Sequence, residues 1–371
     1  MKRVWFDIHR WVGLKLSIVL SFVLITGTLA TISHEIDWLI DPARRVLPSY
    51  QTENYDWQGM YDAAVAERPN WAFNNIIKPL DPWFAAEIIG TTPEGELRRL
   101  LINPRTLDVQ GDRPWFNAQR LFRDTHRRLM IFHSSGIILV SSLALLLLIS
   151  LVSGLIIYKK FWRGFFKKPR NRNSRTLWGD LHRLGGVWSI WFIFLIVLTG
   201  LWYLVEASGN LLDIRVEGYV YRPTTIETSA NKPTVSLNVL AAESKQQIPD
   251  FDPILLELPA FADNPVVFSG QASAFLTRER ANYVSFDPYT GEVLDTLDAR
   301  TLRIPQRISE MADPLHFGTF GGLPTKLLYF IFGIILSGMS LSGIYIYSSR
   351  IRKSLQQREK NVPETNLKAA E

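Results

Sequence analysis

The sequence predicts an α-helical integral membrane protein with four transmembrane helices, produced by a duplicated unit of helix, outer module and helix. Three observations carry this. The apolar residues of the 371-residue chain gather in four blocks, 11–33, 135–158, 184–205 and 323–347. Each is about 20 residues or more with almost no charge, which at about 1.5 Å per residue matches a hydrocarbon layer of about 30 Å. Second, His9-Arg10-Trp11-Val12-Gly13 opens the first block and His182-Arg183-Leu184-Gly185-Gly186 opens the third, and a Thr-Gly pair (Thr26-Gly27, Thr199-Gly200) follows each histidine at the same offset. Third, Lys159, Lys160, Arg163, Lys167, Lys168, Arg170, Arg172 and Arg175 separate blocks two and three, and Arg350, Arg352 and Lys353 follow block four. The positive-inside bias then puts both termini and that link in the cytoplasm and two long segments outside.

In chain order the expected parts are a first helix in 1–36, an outer module in 37–125, a second helix in 126–158, a basic loop in 159–181, a third helix in 182–206, a second outer module in 207–315, a fourth helix in 316–348 and a tail in 349–371. The basic start Met1-Lys2-Arg3 would suit a secretory signal. The apolar core behind it exceeds the usual 7–15 residues or so and no small-x-small site follows, so block one is read as an anchor running from His9 to His34. Trp5, Phe6, Trp11 and Trp38 suit the aromatic belts of a bilayer. In the first outer segment 61–67 reads as a short helix and 87–90, 96–103 and 108–109 as strands joined by turns such as Asn103-Pro104-Arg105. The strand, turn and strand of 283–293 parallel those of 100–109, so both outer modules read as small α+β units. The polar stretch after Arg358 is expected to be disordered.

Charge and cysteine narrow the chemistry. The net charge of +6 mostly reflects the inside bias, so it points to membrane lipid headgroups and not to nucleic acid. The chain has no cysteine, which excludes disulfides, iron–sulfur clusters and covalent c-type haem. All six histidines lie at or near helix ends, on three levels: His9 and His182 at the inner face, His34 and His133 at the outer face, and His126 and His316 about two turns further out. A b-type haem needs two imidazoles from facing helices at one depth, and a duplication supplies them across a pseudo-twofold axis. Gly13, Gly27, Gly136, Gly186 and Gly200 are candidates to pack against its flat ring. A single interfacial histidine is more often a headgroup contact or helix-end hydrogen bond; three matched pairs favour haem. Non-haem iron or copper is a weaker rival, because carboxylates accompany only His34 (Glu35, Asp37). The Thr-Gly pairs taken alone read as helix packing. Arg120, Arg123, Arg127 and Arg128 at an outer face run against the inside bias. They are either snorkelling anchors or, with Arg10 and Arg183, partners for haem propionates or an acidic ligand, since the guanidinium fork fits carboxylates.

These residues resemble a known pattern. His9-Arg10-Trp11-x-Gly13 with Thr26-Gly27, His126-Arg127-x-Leu129, His182-Arg183-x-x-Gly186 with Thr199-Gly200, and His316-x-Gly318 together resemble the PepSY-associated transmembrane family, over nearly the whole chain to about Arg352. Within it the chain looks most like the single-subunit, ferrioxamine-type siderophore reductases of bacterial inner membranes. That resemblance implies PepSY-like periplasmic modules, two b-type haems, haem ligation by His9, His126, His182 and His316, and reduction of ferric siderophore in the periplasm. His34 and His133 are less general in the pattern.

The expected function is therefore an inner-membrane siderophore ferric reductase that passes single electrons to an iron(III) chelate and so loosens the metal for uptake. Arg120, Arg123, Arg127 or Arg128, with Trp115 or Trp83, are candidate contacts to the ferric siderophore. No G-x-G-x-x-G follows a strand, so the electron donor is expected to be quinol or a separate cytoplasmic reductase. Two alternatives stand beside it: a membrane-anchored binding or regulatory protein without redox activity, and an importer of siderophore or haem, which four helices with few buried polar residues serve poorly.

Overall fold

The structure, a computed structural model of the chain, describes residues 2–15, 17–47, 55–79, 81–214, 235–259 and 264–360. Two units divide it: a helical unit of Met1–Ile32, Phe122–Leu212 and His316–Glu371, and a sheet unit of Ser33–Leu121 and Asp213–Leu315.

The helices in chain order are α1 (Lys2–Lys15), α2 (Ser17–Thr31), α3 (Ser33–Ile40), α4 (Trp57–Glu67), α5 (Ala118–Arg128), α6 (Ser134–Ile157), α7 (Ser174–Trp188), α8 (Ile190–Leu211), α9 (Leu237–Gln247), α10 (Ile304–Phe317) and α11 (Gly322–Lys360). Three helical stretches, Ser134–Ile157, Ile190–Leu211 and Thr319–Arg352, are long and apolar enough to cross a membrane; Lys2–Leu14 and Ile18–Thr31, bent by 66°, make a fourth if counted as one broken span. The single helix expected from His9 to His34 is thus three helices, α1 to α3. The other apolar blocks are also preceded by separate helices. Leu129 (φ 51°) and Met130 (φ 59°) end α5 in the left-handed region, which L-residues adopt only at a cost, and α6 starts afresh at a cap made by His133. Ser189, at φ −93° and ψ 4°, parts α7 from α8. Gly318 (φ 72°) and Gly322 (φ 63°) part α10 from α11, a turn that glycine makes without steric penalty. At its far end α11 runs on to Lys360, past Arg358, and residues 361–371 lie outside the described residues.

The helical unit shows the duplication as a packing pattern. In the first repeat α1 packs on α6 and α2 on α11; in the second, α7 packs on α11 and α8 on α6. Each broken helix therefore leans on its own repeat with one half and on the other repeat with the second half. Phe192, Ile193, Val197, Tyr329 and Leu336 form one apolar cluster there, and Leu20, Val23 and Leu143 another.

In the sheet unit the strands are β1 (Ala72–Ile77), β2 (Ala86–Thr91), β3 (Leu97–Ile102), β4 (Val109–Pro114), β5 (Asp252–Glu257), β6 (Val266–Gln271), β7 (Asn282–Phe286) and β8 (Val293–Leu297). They form one antiparallel sheet in the order β4-β3-β2-β1-β5-β6-β7-β8. In place of the two separate modules expected, two four-stranded halves are joined through β1 and β5, with Asn75, Ile76 and Ile77 opposite Glu257, Leu256 and Leu255. The reason is visible at the seam. Ile76 and Leu256 are fully buried, and an isolated four-stranded half would leave that edge open to water and to stray pairing. Helices α4 and α9 share one core with the strands, built from Trp57, Met60, Phe73, Ile76, Leu240, Phe251, Leu256, Phe268 and Phe286. They also cap each other: the Leu237 N–H donates to Gln58 Oε1 (3.0 Å) and the Gln58 N–H to Asn238 Oδ1 (3.2 Å).

Candidate functional site

Four of the six histidines come together in twos within the helical unit. The ring centres of His9 (α1) and His182 (α7) are 6.3 Å apart with the planes crossed at 88°. Those of His126 (α5) and His316 (α10) are 6.1 Å apart at 35°. Both pairs join equivalent residues of the two repeats.

Each ring is anchored by its Nδ1 to the helix behind it. His9 Nδ1 meets Ser153 Oγ at 2.9 Å, and Ser153 Oγ donates in turn to the Ile149 carbonyl at 2.6 Å. His182 Nδ1 meets the Met339 carbonyl at 3.0 Å and Ser342 Oγ at 3.1 Å. His126 Nδ1 donates to the Val23 carbonyl at 2.9 Å. His316 Nδ1 meets Thr199 Oγ1 at 2.8 Å. A carbonyl can only accept, so His182 and His126 carry their proton on Nδ1 and leave Nε2 with a lone pair.

A haem held between the two members of each pair would set a definite ring spacing. Two imidazoles on opposite sides of one metal ion have ring centres about 6.2 Å apart, from about 2.0 Å per metal–nitrogen bond and about 1.1 Å from nitrogen to ring centre. Both pairs lie within about 0.1 Å of that spacing. Metal-bound histidines also commonly donate the second ring N–H to a carbonyl or similar acceptor, as His126 and His182 do. The residues fit the group. Among the described residues no cluster of three or more His, Cys, Asp or Glu is placed to hold an ion.

The remaining candidates divide by what they touch. Gly27 faces His126 so closely that an added Cβ would stand 2.5 Å from the imidazole Cε1; only glycine admits the ring. Gly200 instead faces Ala144 of α6 (2.9 Å), and Gly136 faces the Ile131 carbonyl (2.5 Å), so helix packing and chain turn account for these two in place of a flat ligand. An added Cβ at Gly13 would meet nothing within 4 Å, and at Gly186 only the end of Met339 at 3.3 Å. His133 accepts from the Ser135 N–H at 3.3 Å as the cap of α6, which gives it a structural task. His34 belongs to the sheet unit and lends positive charge to Glu87.

The arginines already have partners in most cases. Arg10 pairs with Asp7 (3.1 Å) and Arg183 with Asp180 (2.8 Å), each within one turn of its histidine. Arg120 stacks 3.9 Å over Trp115, which Arg99 approaches at 4.5 Å. Arg128 lies 3.8 Å from Asp124. Arg123 and Arg127 are exposed. Trp83, with Trp38, Arg45, Val46 and Leu47, lines a shallow cavity of about 530 Å³.

The anchoring acceptors escaped the sequence reading. The repeated Ser-Gly at the ends of the second and fourth apolar blocks was their signal: Ser153 and Ser342 hold His9 and His182, and Gly154 and Gly343 pass the same two rings at 3.7 and 3.8 Å from a would-be Cβ. Comparison with known proteins gives one family match. The model described as PepSY-associated TM region covers residues 6–350, a span that includes all six histidines. No curated protein matches the chain.

Proposed function

Because the chain belongs to the PepSY-associated TM region family, and because its histidines pair as they do, we propose that it is a membrane electron-transfer protein with two non-covalent b-type haems that reduces ferric siderophore. His9 and His182 hold one group, and His126 and His316 hold the other. The observation that carries this is the twice-repeated spacing of 6.3 and 6.1 Å between symmetry-equivalent imidazoles. Either pair alone would pass for an ordinary aromatic contact; two at one metal-bridging distance would not. Bound haem supplies one-electron cycling with little ligand rearrangement. The protein's part is to hold four imidazoles by Nδ1 so that the rings cannot turn. Arg10 and Arg183 stand one residue beyond His9 and His182, so a propionate would share each guanidinium with Asp7 or Asp180.

The membrane arrangement follows. Counting α1 and α2 as one broken span gives four crossings in a bacterial inner membrane, with the termini and the basic segment 159–181 cytoplasmic and PepSY-like modules periplasmic. The single sheet supports this, since its halves share hydrogen bonds and so lie on one side, and the residues between them hold two spans, α6 and α8. The electron donor is quinol or a cytoplasmic reductase.

The test is spectroscopic. Purified protein should give a b-type spectrum on dithionite reduction, and added ferrioxamine should reoxidise it. A haem-loaded protein that a panel of ferric hydroxamate, catecholate and carboxylate siderophores leaves reduced would overturn the siderophore step. A colourless protein that takes up no haemin would overturn the whole reading and leave a membrane-anchored binding protein in its place.

A further inference from the structure

The four rings of the two histidine pairs are held in two ways. His126 donates straight to the Val23 carbonyl. His182 reaches both a carbonyl and a hydroxyl. In both a backbone carbonyl stands ready to accept the ring proton, whatever the side chains do. Among the described residues His9 and His316 instead meet a side-chain hydroxyl, Ser153 Oγ at 2.9 Å and Thr199 Oγ1 at 2.8 Å.

The Thr199 hydroxyl has one proton and it is committed. Oγ1 donates back along its own helix to the Leu195 carbonyl at 2.9 Å, with the Ile196 carbonyl at 3.2 Å. A hydroxyl so engaged can offer His316 only a lone pair, so Nδ1 must carry the imidazole proton and Nε2 is left unprotonated. The site is closed to a substitute: Thr199 is 4% exposed, and Tyr203 and Phe317 stand against the His316 ring at 5.2 and 5.8 Å. The equivalent residue of the first repeat shows the contrast. Thr26 Oγ1 bonds the Phe22 and Val23 carbonyls, while His126 takes the Val23 carbonyl for itself.

We propose that Thr199 is the positioning residue of the His126/His316 pair: its hydroxyl fixes the tautomer of His316 and so leaves an Nε2 lone pair free for a metal. This rests on the reading of that pair as a haem site, but the tautomer can be read without haem. Histidine labelled with nitrogen-15 in the haem-free, membrane-embedded protein, with His316 identified through His316→Gln, should show His316 protonated at Nδ1. Thr199→Val keeps the shape and removes the hydroxyl; it should convert His316 to a mixed or Nε2-protonated form, and Thr199→Ser should restore it. Thr26→Val should change nothing. In haem-loaded protein, Thr199→Val should lose one of the two groups to excess apomyoglobin about tenfold faster or more, the usual scale for a second-sphere partner, while Ser342→Ala, backed by the Met339 carbonyl, should not.

An unchanged His316 tautomer in Thr199→Val would overturn the proposal, as would equal effects of Thr26→Val and Thr199→Val. A protein that binds no haem yet shows the tautomer shift would refute the haem reading and leave Thr199 as the residue that positions His316.

Discussion

In the helical unit the two repeats contribute matched imidazoles, whereas in the sheet unit they contribute matched strands, turns and one helix each, with no matched buried charge at Glu87. His9 faces His182 and His126 faces His316, residue for equivalent residue. In the sheet, β1 to β4 mirror β5 to β8 in order and direction, and the turn after β3 recurs after β7, with Asn103 and Asp287 each accepting two backbone N–H groups, but the buried charges do not repeat. Glu87 of β2 lies between Arg44 and Arg99; it sits opposite Leu101, while its counterpart opposite Ser285 is Val267. The duplicated backbone made the sheet, and the duplicated imidazoles made the site. A repeat that keeps its reactive side chains only in the helices places the chemistry there and leaves the sheet halves free to differ.

The largest effect should come from breaking the matched side chains. His9→Ala or His182→Ala should each remove one haem of two, and His126→Ala or His316→Ala the other, by pyridine haemochrome per chain. Next is the unmatched cluster of the sheet. Burial alone would raise the Glu87 carboxyl, and Arg99 and Arg44 outweigh it and hold it below its ordinary value. Glu87→Ala should cost the sheet unit about 3–5 kcal/mol, the scale for removing one partner of a buried pair, seen as a lower melting temperature with haem content unchanged. The sign in pH follows from the depressed carboxyl: its stabilisation is complete above the unfolded value of about 4.3 and is lost as pH falls through the folded value. Acid titration of melting should therefore be steeper in the wild type than in Glu87→Gln below about pH 4.

Smaller effects separate the two pairs. Gly27→Ala puts a methyl 2.5 Å from His126, while Gly343→Ala meets His182 only at 3.8 Å. The first should disturb the His126/His316 centre by an overpacking cost of about 1–3 kcal/mol, seen as weakened retention of one haem; the second should be silent. Finest is the ring geometry. Planes crossed at 88° and planes at 35° should give two distinct low-spin ferric signals by electron paramagnetic resonance, the crossed pair with the larger anisotropy. Two identical signals would remove the distinction.

Much of this arrangement was legible in the chain. Apolar blocks located the long helices, and the repeat matched His9 with His182 and His126 with His316; the expected pair of His34 with His133 falls in two different units. The helix at 61–67 and the strands around 87–90, 96–103 and 283–293 showed through turn residues beside them. What stayed hidden was set by long-range contact. Strand β1 pairs with β5 across some 180 residues, Ile76 against Leu256, and nothing local announces that two modules share one sheet. The breaks at Ser189 and at Leu129-Met130 carry no proline and no glycine, so no breaker marked them. Val23 and Met339 act through backbone carbonyls, which no side-chain motif records. Thr199 was visible only as half of a Thr-Gly pair, which by itself indicates packing.

The most direct measurement is the haem-to-protein ratio of the wild type, His182→Ala, His316→Ala and the double variant, each purified under the same conditions and offered haemin. The expected ratios are about two, one, one and none. A wild type that remains colourless, or a His182→Ala protein that still holds two, would contradict the pairing of His9 with His182 and of His126 with His316 as haem ligands.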